Sequence, residues 1–309
     1  MTRLVHSRKA WIRSLQISEA RIFIFVEGGL DRVVADKAAE AFGPDFYRKS
    51  QVRSIKELFG TGGKAEVIKC FKYLRRAGML KASHFGKNLY SVFMLDKDVD
   101  DLRRKQLRSE HVIYTTSYDL EGQLFLASDA APALAEACLV TKEVASRWMP
   151  SAMRFSSDVA EVWADWVALC GLSSKCLVNC GCTYDRYSAV NVPDGLSASS
   201  QDLVDQFVSD VSDRRGVTIA STLMDFQKIR SKHMKFIRDG QPLSLFKGKW
   251  LAGLLELHVK RQEHVADSNV NSVFERVLVS IVGKINSENL DIYLPRLSER
   301  LRVAQLYVA

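Results

Sequence analysis

The chain has 309 residues, with 44 Lys plus Arg against 36 Asp plus Glu and a formal net charge of +8. Apolar residues make up 47% and charged residues 26%, which excludes a disordered chain, a collagen-like repeat and a small disulfide scaffold and suggests about two domains. No apolar run approaches the ~18 residues of a membrane span, and the basic opening segment has no apolar stretch behind it as a secretory signal would, so a soluble, cytoplasmic protein without membrane partners is expected.

Residues 1–20 read as a basic lead-in in which Trp11, Ile12 and Leu15 offer one short apolar face. Residues 21–27 are a short apolar, β-rich run bounded by Gly28 and Gly29, the pattern of a buried strand. Leu30, Val33, Val34, Ala38 and Ala41 recur at helical spacing, so a helix is expected over 30–42, stopped by Gly43-Pro44. A strand, two glycines and a helix make a βα unit of a parallel sheet. A second strand is expected over 46–52. Gly60, Gly62 and Gly63 then make a turn before an amphipathic helix over 65–76. Its apolar face is Val67, Ile68, Phe71 and Leu74, and Lys69, Lys72, Arg75 and Arg76 lie mostly outside. Further strands are expected over 90–95 and 111–115. From about residue 130 the periodicity is helical, over 130–147, 156–170, 200–214, 221–238, 246–262, 269–286 and 295–307. Ser197 to Gln201 reads as a loop ending in a helix cap, and Trp163, Trp166 and Leu169 share helical spacing and read as core. The expected fold is therefore α/β: a mostly parallel sheet flanked by helices over 1–128, then a mainly helical domain over 129–309.

Charge is uneven between these parts. Residues 1–130 hold 23 Lys plus Arg and 16 Asp plus Glu, and residues 131–309 hold 21 and 20. The excess in the first part suits a polyanionic partner, although enzymes that never touch nucleic acid carry similar balances. Cys170, Cys176, Cys180 and Cys182 invite a structural zinc reading. Their spacing contains no CxxC pair, however, and buried free thiols explain them as well. None of the six histidines forms a metal-ligand pair, so a His-based zinc centre and a Ser-His-Asp triad both lack support.

Acidic residues recur just beyond the expected strand ends: Glu27, then Asp96-Lys97-Asp98-Val99-Asp100, then Asp119 and Glu121. In open α/β sheets that edge binds ligands. Clustered carboxylates repel one another unless a cation neutralises them, and all-oxygen donors favour Mg2+, or Mn2+, over zinc. Read as extended backbone, Asp96 and Asp98 would share a side and could share one metal. Taken singly, each acid has an ordinary reading as a turn or cap residue. Their order after successive strands is what favours a site.

Phe25-Val26-Glu27-Gly28-Gly29-Leu30-Asp31, followed by Phe93-Met94-Leu95-Asp96-Lys97-Asp98, resembles the glutamate and DxD motifs of the Toprim fold of topoisomerases, primases and OLD nucleases. Gly63-Lys64, Asp96 to Asp100 and Thr115-Thr116-Ser117-Tyr118-Asp119-Leu120-Glu121 are similar to motifs of a Toprim-like family that accompanies ABC-type ATPases in bacterial anti-phage systems of the PARIS type. The resemblance covers about the first 125 residues, with the later Gly248-Lys249 as a further shared feature. Ser117 and Gly122 depart from it, standing where the family often has an acid and Asn. The resemblance implies a Toprim-like, Mg2+-dependent nuclease in which Glu27, Asp96 and Asp98 hold the first metal. Asp31, Asp100, Asp119 and Glu121 would serve a second ion or orient ligands. It also implies an RNA substrate, transfer RNA above all, toxicity restrained by an ABC-type ATPase, and an active homodimer. The helical domain would bind substrate or partner and dimerise. The alternatives are a DNA nickase of the OLD type and a non-catalytic regulatory subunit.

Lys64 follows three glycines, but Gly60 to Ala65 lacks the spacing and hydroxyl of a phosphate-binding P-loop. ATP binding is not expected, and Lys64 is a candidate catalytic residue that would contact the scissile phosphate. Lys97 is read as structural. Lys69, Lys72, Arg75 and Arg76, with Tyr73 nearby, suit backbone phosphates and stacked bases as well as they suit a solvated helix face. Lys249 joins them as an expected nucleic-acid contact through the resemblance.

Overall fold

The computed structural model describes residues 8–103, 105–178, 181–185, 200–262 and 271–309. Cys180, most of the 197–201 loop and the first two residues of the 269–286 helix lie outside them. Contacts group the chain into two units. The first takes Met1–Asp96, Leu107–Thr115 and Val282–Ala309, and the second Lys97–Gln106 and Thr116–Ile281. This partition is interleaved, whereas the composition places a single boundary near residue 128. The reason is that the last helix packs on the sheet of the first unit.

In the first unit the order is α1 (Arg8–Ile17), β1 (Ile22–Val26), α2 (Gly29–Ala41), α3 (Pro44–Arg48), β2 (Ser50–Ser54), α4 (Ile55–Phe59), α5 (Lys64–Arg76), β3 (Lys81–His84), β4 (Lys87–Leu95) and β5 (Val112–Tyr114), with α16 (Leu290–Tyr293) and α17 (Pro295–Val308) from the C-terminal segment. β1 lies between β2 and β4 and is parallel to both, with Ile24 opposite Val52 and Val92. Tyr90 pairs with Ile22 on one side and Lys81 on the other, so antiparallel β3 takes the far edge of the first half of β4. Parallel β5 takes the same edge of the second half. The α/β class with a mostly parallel sheet is thus present, and its parallel strands all end at one edge.

Alternation sorts the strand side chains onto two faces. Phe23, Phe25, Phe93, Leu95, Val112 and Tyr114 join Trp11 and Leu15 of α1 and Val67, Phe71 and Leu74 of α5 in one core. There Phe25 stacks on Phe93 with centroids 5.0 Å apart, and Phe71 meets Phe93 edge-on at 5.3 Å. The opposite face, with Ile22, Ile24, Tyr90 and Val92, is covered by α2 and α17. Because both faces are covered, every residue of β1 is buried, as a parallel central strand requires.

Two local expectations shift. Phe46 is helical, not extended: Gly43 at φ 99° caps a short helix with Pro44 in its first turn, and the strand begins only at Ser50. The left-handed Phe85 and Gly86 let the chain fold back, and so β4 extends N-terminally as far as Lys87.

In the second unit the helices are α6 (Asp100–Arg103), α7 (Leu120–Ala127), α8 (Ala130–Cys138), α9 (Lys142–Trp148), α10 (Ala152–Val162), α11 (Ala164–Cys176), α12 (Gln201–Arg215), α13 (Ile219–Arg238), α14 (Leu251–Lys260) and α15 (Val273–Gly283), with a 3-10 turn at Gly248–Trp250. The expected 130–147 helix is two helices, broken at the left-handed, exposed Leu139, after which Thr141 caps α9 through the Val144 amide. The 156–170 helix is likewise divided at Trp163, which is fully buried together with Trp166. No described helix is long and apolar enough to cross a membrane.

Candidate active site

Within the first unit, Glu27 is the residue after β1 and Asp96 the residue after β4. Parallel pairing brings them together, and the Asp96 amide donates to Glu27 Oε1 at 3.0 Å. Lys64 opens α5, and its ammonium donates to the main-chain carbonyl of Asp96. The same ammonium lies 5.3 Å from the Tyr114 ring at the end of β5. The glycine turn before it passes close to Glu27: a Cβ on Gly62 would meet Lys56 Cβ at 3.1 Å and the Glu27 carbonyl at 3.5 Å. The glycines therefore deliver Lys64 to the strand ends. Asp31 has a structural task, since its Oδ2 accepts the Gly28 amide at 2.7 Å across the first turn of α2, a capping interaction.

The DxDxD segment crosses the boundary between the units. Beyond Leu95 the backbone does not stay extended. Asp98 has φ 49°, and its amide donates to the Tyr118 carbonyl at 2.8 Å. The alternation argument for Asp96 and Asp98 sharing a side therefore fails at Asp98. Asp100 is the first residue of α6. Lys97 is buried, with its ammonium 5.3 Å from the Phe236 ring, in keeping with a structural reading.

In the second unit Asp119 caps α7 and also holds a distant turn. Its Oδ1 accepts the amides of Gly122 at 3.0 Å and Gly248 at 3.1 Å, and its Oδ2 accepts that of Lys249 at 3.3 Å. Burial, reinforced by the Glu121 charge, pushes its carboxyl up to about 7, against the pull of the amides of Gly122 and Lys249. Three main-chain amides thus already use both oxygens of the buried Asp119, which gives it a structural task. Glu121 instead receives the Lys249 ammonium at 3.4 Å. The Asp119-Leu120-Glu121 and Gly248-Lys249 motifs thus meet as a main-chain clamp plus one ion pair.

Glu27 and Asp96 are all-oxygen donors that fit a hard divalent cation. Among the described residues no three His, Cys, Asp or Glu side chains gather as a metal-holding group. The metal expectation in the first unit is therefore carried by this pair. Cys170 and Cys182 are buried and Cys176 is half-buried.

Lys69, Lys72, Arg75 and Arg76 all lie exposed along α5, the arrangement that both of their sequence readings require. Lys249 is exposed as well. One cation escaped the sequence reading. Arg296, at the start of α17, donates to the carbonyls of Tyr114 at 3.1 Å and Thr115 at 3.4 Å, at the end of β5. Nothing in the sequence joins residues 182 positions apart; only the return of α17 to the sheet does. Compared with known proteins, the chain matches no protein-family model and no curated protein.

Proposed function

We propose that the chain is a Mg2+-dependent Toprim-type nuclease that cleaves phosphodiester bonds in RNA, with transfer RNA as the favoured substrate. The observation that supports the reading most is the meeting of Glu27 and Asp96 at neighbouring parallel strand ends, with the Lys64 ammonium on the Asp96 peptide. Glu27 and Asp96 would hold the cation. When bound, Mg2+ or Mn2+ supplies Lewis acidity toward a phosphoryl oxygen and makes water nucleophilic at neutral pH. Lys64 neutralises charge that develops on the phosphate. Lys69, Lys72, Arg75 and Arg76 attract the nucleic-acid backbone. A role as the toxic effector of a bacterial anti-phage system, an ABC-type ATPase that restrains it and a homodimer on release belong to the same proposal. These rest on the sequence resemblance.

The test incubates purified protein with total bacterial RNA and with supercoiled plasmid, in Mg2+ and in chelator, alongside Glu27→Ala and Asp96→Ala. Mg2+-dependent loss of a small-RNA band, absent in both variants, is the expected result. Plasmid nicking would select the DNA nickase. Cleavage of neither, with harmless expression of the wild type, would select a regulatory binding subunit or an effector held dormant until its partner releases it.

A further inference from the structure

A cleft of about 440 Å3 opens between the end of α4 and the outer side of α5. Its lining includes the rings of Phe59 and Tyr73 and the cations Lys69, Lys72 and Arg76. Residues 69, 72, 73 and 76 are three or four apart, so α5 presents them as one stripe. That stripe lies away from Val67, Phe71 and Leu74, which face the core. Glu66 is the one carboxylate in the lining, and it is engaged by Lys69 at 2.6 Å. Among the described residues Lys72 and Arg76 have no ion-pair partner. Phe59 is held in place by Trp11, edge-on at 5.3 Å. Cys70 also lines the cleft, and burial pushes its thiol well above the ordinary range, so this wall is neutral and not nucleophilic.

Two uncompensated cations beside a half-buried phenol ring complement the two halves of a nucleotide, a phosphate and a planar base. The volume falls in the range of small-ligand pockets. A duplex keeps its bases stacked inside, so only an unpaired strand or a free nucleotide can offer a base to Tyr73. We infer that the α4–α5 cleft is a nucleotide pocket that takes one unstacked nucleotide of a single-stranded nucleic acid, with its phosphate on Lys72 and Arg76 and its base against Tyr73. The inference rests on the nucleic-acid part of the proposed function but not on cleavage. α5 carries both Lys64 and the pocket, and Tyr73 lies roughly 13 Å along the helix from Lys64 at ~1.5 Å per residue. A bound strand would therefore run along α5 toward the acid pair.

The experiment measures binding by fluorescence anisotropy, using the full chain with Glu27→Ala in chelator so that nothing is cut. The probes are a labelled eight-nucleotide RNA, the same sequence as a duplex, and unlabelled adenosine monophosphate as competitor. The single strand is expected to bind at least about tenfold more tightly than the duplex. Tyr73→Ala should weaken it roughly 5- to 150-fold, the fold equivalent of one stacked base, and Tyr73→Phe should restore it. Lys72→Ala with Arg76→Ala should lower the salt slope by about 1.4. These two exposed positions can be changed without touching the core. Displacement of the strand by the monophosphate would show that the pocket holds a single nucleotide of it, and failure to displace would show that contacts along the strand dominate; both support the pocket. Equal binding of duplex and single strand, or a folded Tyr73→Ala protein that binds like the parent, would overturn it. Lost binding with RNA cleavage intact in the wild type would remove the pocket alone, whereas binding without cleavage would remove the nuclease reading alone.

Discussion

Asp119 spends both of its carboxylate oxygens on main-chain amides, and a carboxylate so used is a fastener. Gly248 is required at the other end of the clamp, because a Cβ there would lie 2.2 Å from Asp119 Oδ1 and 2.4 Å from the Gly122 nitrogen. Asp119→Asn places an NH2 or an oxygen where two acceptor atoms are needed, so it should cost about 1–3 kcal/mol. Gly248→Ala should cost at least as much, since backbone must move. Urea unfolding followed by tryptophan fluorescence checks both, and the losses should be the same with and without Mg2+. Glu27→Ala, Asp96→Ala and Lys64→Ala should behave in the opposite way. Each should leave the unfolding midpoint nearly unchanged and reduce cleavage by roughly 10^2–10^3-fold, measured as initial rates on the RNA substrate. Asp119 was legible as an acid beyond a strand, but its partner Gly248 lies 129 residues on. Residue type alone does not reveal which acids the fold has already used.

Among the elements, β1 was legible because a parallel strand covered on both faces has to be apolar throughout, and Ile22 to Val26 are. Phe46 was misread because its aromatic β-preference points to a strand while Gly43 and Pro44 start a helical turn around it. The left-handed Leu139 likewise breaks a helix without a Gly or Pro to mark the break. Close helix contacts are equally silent in sequence. A Cβ on Gly171 of α11 would stand 2.9 Å from Ile229 Cγ2 of α13 and 3.1 Å from Leu102 Cδ1 of α6. Gly171→Ala should therefore destabilise by about 1–3 kcal/mol through overpacking, despite a gain in helix propensity of up to ~1 kcal/mol. A lowered urea midpoint with an unchanged slope would confirm this.

For the whole molecule, the return of the chain to its first unit has a direct consequence. A fragment of residues 1–128 lacks α17 and leaves the face bearing Tyr90 and Val92 uncovered. It should bind a hydrophobic dye and melt without a cooperative transition, whereas the full chain should do neither; near-ultraviolet circular dichroism with dye binding measures both. Acid stability is a second global property. His233 is fully buried, with Nε2 2.9 Å from the Ala160 carbonyl and Nδ1 without a hydrogen-bond partner among the described residues. Burial lowers its pKa to about 4 from 6.5. Between those values the unfolded chain binds the proton and the native one does not, so stability falls as the pH drops from about 6.5 to 4. His233→Gln keeps a donor for Ala160 and removes the titration, and it should flatten that fall; urea midpoints at pH 7, 6, 5 and 4 test it.

By itself the sequence determined the α/β class, the strand–glycine–helix opening, and the acids Glu27 and Asp96 at the ends of buried strands. These are local properties: alternation, helical spacing and the residue that follows a strand. Tertiary structure alone decided that Asp119 fastens a distant turn, that Asp98 leaves the extended path, that Arg296 caps the end of β5 and that α17 closes the first unit's sheet. Each of these depends on which amides, carbonyls and apolar faces meet across long stretches of chain, and no local pattern of side chains encodes such a meeting.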